Sequence, residues 1–161
     1  METFVVPLER LGRDDLARAG GKGANLGELA RASFPVPDGF VVTTAAYDGF
    51  VAHNRLGETI ARALRDEQGS DATIRAAFAK APIPPEIEQD ILAAYCELGD
   101  GPVAVRSSAT AEDLPGAAFA GQQDTFLNVT GGQALLDTVR RCWASLWTDR
   151  AITYRERQGI D

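Results

Sequence analysis

Histidine, cysteine and lysine are nearly missing from this chain, and each scarcity removes a class of chemistry. The one histidine, His53, falls late in a helical pattern beside Asn54 and Arg55, with no nucleophile or carboxylate at a suggestive spacing. It reads as a surface or boundary residue, which argues against a histidine phosphoryl carrier within this chain. The two cysteines, Cys96 and Cys142, lie far apart and outside any CxxC pattern, so packing is their expected role rather than redox or metal chemistry. No apolar run approaches the roughly 20 residues that a membrane helix needs. The opening METFVVPLERLGRDD has early acidic residues and no cleavable signal pattern, and a cytoplasmic compartment is expected. Basic surface is also short: the formal net charge is −7, which disfavours nucleic acid, since phosphate-backbone binding releases counterions to a cationic face. An anionic ligand would need a local positive pocket. Of the 16 basic residues only Lys22 and Lys80 are lysine, so Lys22, set among glycines, stands out, although compositional bias also explains the scarcity elsewhere.

What is present is ordinary material for a folded protein. Hydrophobic residues make up 45% and charged residues 24% of 161 positions, enough for one domain with a core or for two small lobes. Phe4 to Leu8 reads as a short strand. In ARAGGKGANLGELARA three glycines crowd Lys22, and Leu26, Leu29 and Ala30 then take helical spacing, so a helix is expected to open near Ala24. Pro35, Pro37 and Gly39 deliver the chain into a strand at Phe40 to Val42. Thr43 or Thr44 is placed to cap a helix whose core face carries Tyr47, Phe50 and Val51. A helical middle follows, about 44–99, with Ile60 and Leu64 in one segment and Ile74 and Phe78 in another for which Asp71 is a candidate cap. Pro85 suits a first helical turn, Ile87, Ile91, Tyr95 and Leu98 form one stripe, and Gly99 can end it. Near the C-terminal end Leu135, Val139, Cys142, Trp143, Leu146 and Trp147 recur at intervals of three and four, an amphipathic helix whose tryptophans belong to a core. There is no internal repeat and no low-complexity tail, and the class is α+β.

The segments able to carry chemistry are few. In PVAVRSS, strand alternation puts Val103 and Val105 on one face and Ala104 and Arg106 on the other, so Arg106 either faces a cleft or is a surface arginine paired with a carboxylate. Ser107, Ser108 and Thr110 follow, with hydroxyls able to donate hydrogen bonds, and Gly116 and Gly121 allow a ligand close to the backbone. A polyphosphate spreads its charge over many oxygens, and backbone N–H groups, short hydroxyls and a guanidinium fork hold it well. The long bridge from Arg106 to Thr125 is therefore a phosphate lid or a ligand-free Ω-loop. Glu112 and Asp113 could hold Mg²⁺, but one adjacent pair gives poor metal geometry, and capping of the turn before Leu114-Pro115 is the better reading. The GGKG turn is not a P-loop: a Walker pattern needs a glycine five residues before the Gly-Lys pair and a hydroxyl after it, where Leu16 and Gly23 stand. The dinucleotide fingerprint fails at Leu26. What remains is a lysine at a helix N-terminus, either solvated or facing an anion that dipole and ammonium both favour.

GGKGANLGEL, VPDGFVVTTAAY, VAVRSSATAEDLPGAAFAGQQDTFLNV and CWASLWTDRAITYR, in that order, resemble the N-terminal ATP-binding region of the phosphoenolpyruvate synthase, rifamycin phosphotransferase and pyruvate phosphate dikinase family. The resemblance covers nearly the whole chain and is least distinctive from Ile60 to Glu97. It implies the first lobe of an ATP-grasp-like nucleotide site with a helical insertion. In that site Lys22 and Arg106 match residues that contact ATP phosphates, and Gly121 and Thr125 match residues that line the nucleotide. It also implies a second lobe carrying Mg²⁺ ligands, a domain with a phosphate-accepting histidine, and a substrate domain. None of these has a counterpart here, so the chain is expected to be the first part of such an enzyme, to lack turnover alone, and to self-associate through an apolar face. Complete, the enzyme would pass the β-phosphoryl of ATP through a histidine to pyruvate or to an antibiotic hydroxyl. The rival expectations are a standalone, non-catalytic module that binds nucleotide or a partner protein, and a structural domain with a degenerate site.

Overall fold

In the computed structural model residues 3–65, 70–106 and 125–145 are described, with only the backbone of residues 21, 64, 70 and 71. Two short antiparallel sheets are formed by segments far apart in sequence. Strand β1 (Val5–Pro7) pairs with β2 (Phe40–Val42) in the register Val5↔Val42, Val6↔Val41 and Pro7↔Phe40. Because successive side chains point to opposite faces, this small sheet divides its residues between two cores. Val5, Phe40 and Val42 pack on the main cluster, whereas Val6 and Val41 join Leu8, Leu11 and Ala19 in a smaller one.

Between the paired strands run two 3-10 turns, Leu8–Arg10 and Arg13–Asp15, and helix α1 (Leu16–Arg31). Helix α1 is interrupted at Gly20, whose φ of 74° and ψ of 171° lie outside helical space and suit a residue without Cβ. A short helical turn precedes the break and the longer segment resumes at once, so the helix opens before Ala24, earlier than the sequence pattern indicates. Gly21 and Gly23 take helical dihedrals despite a penalty of about 1 kcal/mol each relative to alanine, because the amphipathic run after them packs. Gly27 has a separate reason to be glycine. A Cβ there would lie 2.4 Å from the carbonyl oxygen of Leu11, itself fully buried, so the helix rests directly on that backbone.

Helix α2 (Thr44–His53) starts after Thr43, one of the two candidate caps, but neither hydroxyl caps it: Thr43 Oγ1 donates to the Thr3 carbonyl at 2.6 Å, and Thr44 Oγ1 donates to the Ala17 carbonyl at 3.1 Å. Helices α3 (Leu56–Arg65), α4 (Ser70–Lys80) and α5 (Pro85–Glu97) follow. The candidate cap Asp71 is itself helical, since α4 already includes Ser70. In α5, Pro85 occupies the first turn, where its missing N–H has no intrahelical partner to lose. Ile87, Ile91 and Tyr95 are buried, Leu98 is half-buried at the C-cap, and Gly99 ends the helix with φ 96°. Cys96 is exposed, contrary to its expected packing role. One residue beyond Tyr95, it is rotated about 100° off the buried stripe.

Strands β3 (Val103–Arg106) and β4 (Thr125–Val129) form the second sheet, and α6 (Gly132–Ala144) packs on both. On α6, Leu135, Val139, Cys142 and Trp143 are buried as the spacing predicts, while Leu146 and Trp147 lie outside the described residues. The main core centres on four aromatic rings from three helices. Phe50 stacks at a tilt on Trp143 at 4.7 Å and meets Phe78 edge-on at 5.6 Å, with Tyr47 6.0 Å from Trp143 and 6.3 Å from Phe78. The architecture is α+β. No helix among the described residues is long and apolar enough to cross a membrane.

Candidate functional site

The alternation expected of β3 is observed: Val103 and Val105 are half-buried against the main core, and Ala104 and Arg106 are exposed. Opposite them, β4 does not keep a period of two. The register runs Val103↔Val129, Val105↔Phe126 and Arg106↔Thr125, so three steps along β4 face two along β3. The additional residue is accommodated as a bulge next to Asn128, whose φ of 55° is a left-handed conformation that asparagine tolerates better than most. The bulge has a clear effect. Phe126 and Val129 are an odd number of residues apart, yet both turn toward the core, while Thr125 and Leu127 face outward.

Arg106 and Thr125 are thus cross-strand neighbours at the loop end of the hairpin, both exposed, at the two ends of the stretch that the sequence marks as a phosphate loop. Of the other candidate ligands, Ser107, Ser108, Thr110 and Gly121, together with Glu112 and Asp113, lie outside the described residues. Lys22 stands on a different element. It is half-buried in the first turn after the Gly20 break, on a helix whose principal neighbours are α2, β2 and the two 3-10 turns. The structure therefore joins Arg106 to Thr125 directly and mounts Lys22 separately.

The mount of Lys22 is polar. The Gly12 N–H donates to Asp15 Oδ2 at 2.8 Å, Arg18 Nε donates to Asp15 Oδ1 at 2.7 Å, and the Arg13 N–H donates to Glu28 Oε1 at 2.6 Å. Glu28 lies in the later part of α1, so its carboxylate straps the connection from β1 back onto the helix that carries Lys22. The Arg18 hydrogen bond foremost, and then the Gly12 N–H, hold the Asp15 carboxyl below its ordinary value, against a small opposing effect of burial.

Sequence reasoning missed this strap, whose partners are fifteen residues apart. It also missed the hydroxyl of Tyr95, which the helical stripe marks only as core. The signal available in the sequence was chemical: a buried phenol must find hydrogen-bond partners. A groove of about 620 Å³ on the α4 and α6 side of the hairpin is lined by Arg75, Phe126, Arg140 and Arg141 among others. Neither Lys22 nor Arg106 lines it. Among the described residues no three or more histidine, cysteine or carboxylate side chains gather as a metal site would; the resemblance assigns the Mg²⁺ ligands to a second lobe. What the described candidates offer is two cations and a hydroxyl, a set suited to anionic oxygen.

Residues 16–161 match the family described as pyruvate phosphate dikinase, AMP/ATP-binding domain. The chain belongs to that family, a class of nucleotide-binding domains. Among particular proteins, it is 47% identical to a probable phosphoenolpyruvate synthase of Methanothermobacter thermautotrophicus, over 100% of this chain and 26% of that protein. It is 45% identical to the phosphoenolpyruvate synthase of Aeropyrum pernix, over 98% of this chain and 21% of that one. A rifampicin phosphotransferase of Streptomyces is 47% identical over 98% of this chain and 19% of its own length. The chain therefore spans about a quarter or less of these relatives.

Proposed function

We propose that this chain is the first lobe of an ATP-grasp-like site, the ATP-binding portion of a phosphoenolpyruvate synthase-like phosphotransferase. In this reading Lys22 and Arg106 neutralise charge on the ATP phosphates. Ser107, Ser108 and Thr110 donate hydroxyl hydrogen bonds to phosphate oxygens, Gly121 lets the backbone approach, and Thr125 closes the far side. The observation that carries it is the outward-facing Arg106–Thr125 pair on a hairpin whose other face is buried, in a chain of this family. Leu127, 72% exposed on the same outward side as Thr125, supports a surface that a second lobe would cover. That lobe would also supply the carboxylate and amide ligands for Mg²⁺, and until it docks the same face would favour self-association.

In the whole protein, ATP would phosphorylate a histidine elsewhere with its β-phosphoryl group, releasing AMP and phosphate, and pyruvate would then receive the phosphoryl group. A rifamycin hydroxyl is the alternative acceptor; the similarity to several phosphoenolpyruvate synthases favours pyruvate. The part bound by this chain is the same in both cases. Because positioning and electrostatics make up most of phosphoryl-transfer catalysis, the lobe alone binds without turning over.

Titration of Mg-ATP into the chain and into Lys22→Ala and Arg106→Ala, followed by calorimetry, tests the assignment. A charge-assisted hydrogen bond is worth about 1.5–3 kcal/mol, so each variant should bind about tenfold or more weakly. Equal affinity in all three would remove both residues from the phosphate site. Absence of binding in the unaltered chain would favour a structural domain with a degenerate site.

A further inference from the structure

Tyr95 is buried at 2% exposure, and its hydroxyl has three partners. It accepts from the Gly131 N–H at 2.9 Å and shares its one proton between the carbonyls of Asp100 at 3.0 Å and Gly101 at 2.8 Å. Their places in the chain give this its meaning. Asp100 and Gly101 lead into β3, and Gly131 leaves β4 and precedes α6. One phenol thus holds both legs of the β3–β4 hairpin at its base, where the chain enters and leaves and Val103 pairs with Val129. Arg106 and Thr125 stand at the opposite end of the same short ladder.

The environment makes the clamp hard to replace. Gly131 has φ 95° and Asp100 φ 56°, so both legs turn sharply where the hydroxyl grips them. Tyr95 is buried, while Asp100 is exposed and Gly101 and Gly131 are half-buried, so the hydroxyl ties surface backbone to the core. The bulge beside Asn128 also interrupts the ladder between the clamp and the loop end. With few rungs available to define the relative placement of the strands, the anchor at the base carries more of that task.

We infer that Tyr95 is a positioning residue for the nucleotide site: through its hydroxyl it fixes the legs of the hairpin and so the mutual placement of Arg106 and Thr125. The link to nucleotide rests on the ATP-binding reading above; the link to hairpin geometry does not. Tyr95→Phe removes the hydroxyl and nothing else, leaving the ring in the core.

The test is amide NMR and hydrogen exchange on the full chain and on Tyr95→Phe, with Mg-ATP titrations of both well below the thermal midpoint. The expected result is exchange at the Gly131 amide accelerated about tenfold or more, shifted amide resonances at Arg106 and Thr125, and a Kd for Mg-ATP raised about three- to tenfold. A role confined to stability would lower the midpoint and leave the resonances of Arg106 and Thr125 and the Kd of the folded protein in place; that outcome overturns the inference. If the resonances move and the unaltered chain does not bind ATP, the nucleotide reading fails while the hairpin role of Tyr95 stands. Should Tyr95→Phe not fold, native-state exchange on the unaltered chain decides. Gly131 and the amides of β3 and β4 must then open as one unit, and independent opening of the Arg106 end overturns the inference.

Discussion

The two cationic candidates are held by different kinds of matter. Arg106 projects from a hairpin seated on the main core, where Phe50, Phe78, Ile74 and Ile91 are fully buried and four aromatic rings interlock. Lys22 projects from α1, which rests on a cluster of three buried residues, Val6, Leu11 and Ala19, and on the Asp15, Arg18 and Glu28 contacts. Apolar burial stabilises by about 25 cal/mol per Å², whereas solvent screening holds an exposed polar contact to about 0–1 kcal/mol. The hairpin thus belongs to the stable body, and α1 to the part that opens first. A ligand that draws the two cations together would find one of them fixed and the other adjustable.

Substitutions can break this contrast or sharpen it. Phe50→Ala should cost about 3–5 kcal/mol, because it empties the centre of the aromatic cluster; urea unfolding should show the whole chain losing stability. Gly27→Ala should cost about 1–3 kcal/mol by overpacking, since the methyl would meet the Leu11 backbone, which cannot rotate away as a side-chain tip can. Its signature is regional. Hydrogen exchange should quicken in α1 and β1 while α4 and α6 keep their protection, and uniform acceleration would abolish the distinction between the two regions. Thr43→Val should cost about 1 kcal/mol by leaving the Thr3 carbonyl without its hydroxyl donor, read as a lowered midpoint with α1 and β1 fraying first.

The smallest effect is on pH. The Asp15 carboxyl is held below its ordinary value in the folded chain, so the unfolded state takes up its proton first as pH falls. Its stabilisation is present above the ordinary carboxylate pKa of about 3.9 and is lost as pH drops through the depressed folded value. Thermal midpoints of the chain and of Asp15→Asn should therefore differ near neutrality and converge in acid. A gap independent of pH would show that the carboxylate charge is not what braces α1.

Much of the scaffold was legible because its causes are local. Pro85 and Gly99 bracket α5, and Ile87, Ile91 and Tyr95 recur at helical spacing whatever surrounds them. Valine alternation in β3 likewise fixed which way Arg106 points. What stayed hidden depends on partners distant in sequence. The break at Gly20 is one of several glycines in a row, and nothing local singles it out; the hydroxyl of Thr43 looks like a cap until Thr3 is brought beside it. The bulge at Asn128 exists because Phe126 and Val129 must both reach a core built by other helices. The family resemblance implies that Lys22 and Arg106 meet one ligand; the structure carries the two on separate elements, α1 and β3, and their meeting is the proposal made above.

The β1–β2 sheet has one more consequence. With only three rungs, it lacks the length that usually resists sliding, and a shift of one residue would exchange the sides on which every side chain lies. Phe40 prevents this. It packs on the main cluster with Val5 and Val42, and a slip would carry its ring to the side where Val6 and Val41 join the smaller cluster of Leu8, Leu11 and Ala19. One aromatic residue therefore acts as a ratchet tooth, locking the frame in which α1, and Lys22 with it, is presented to the rest of the molecule.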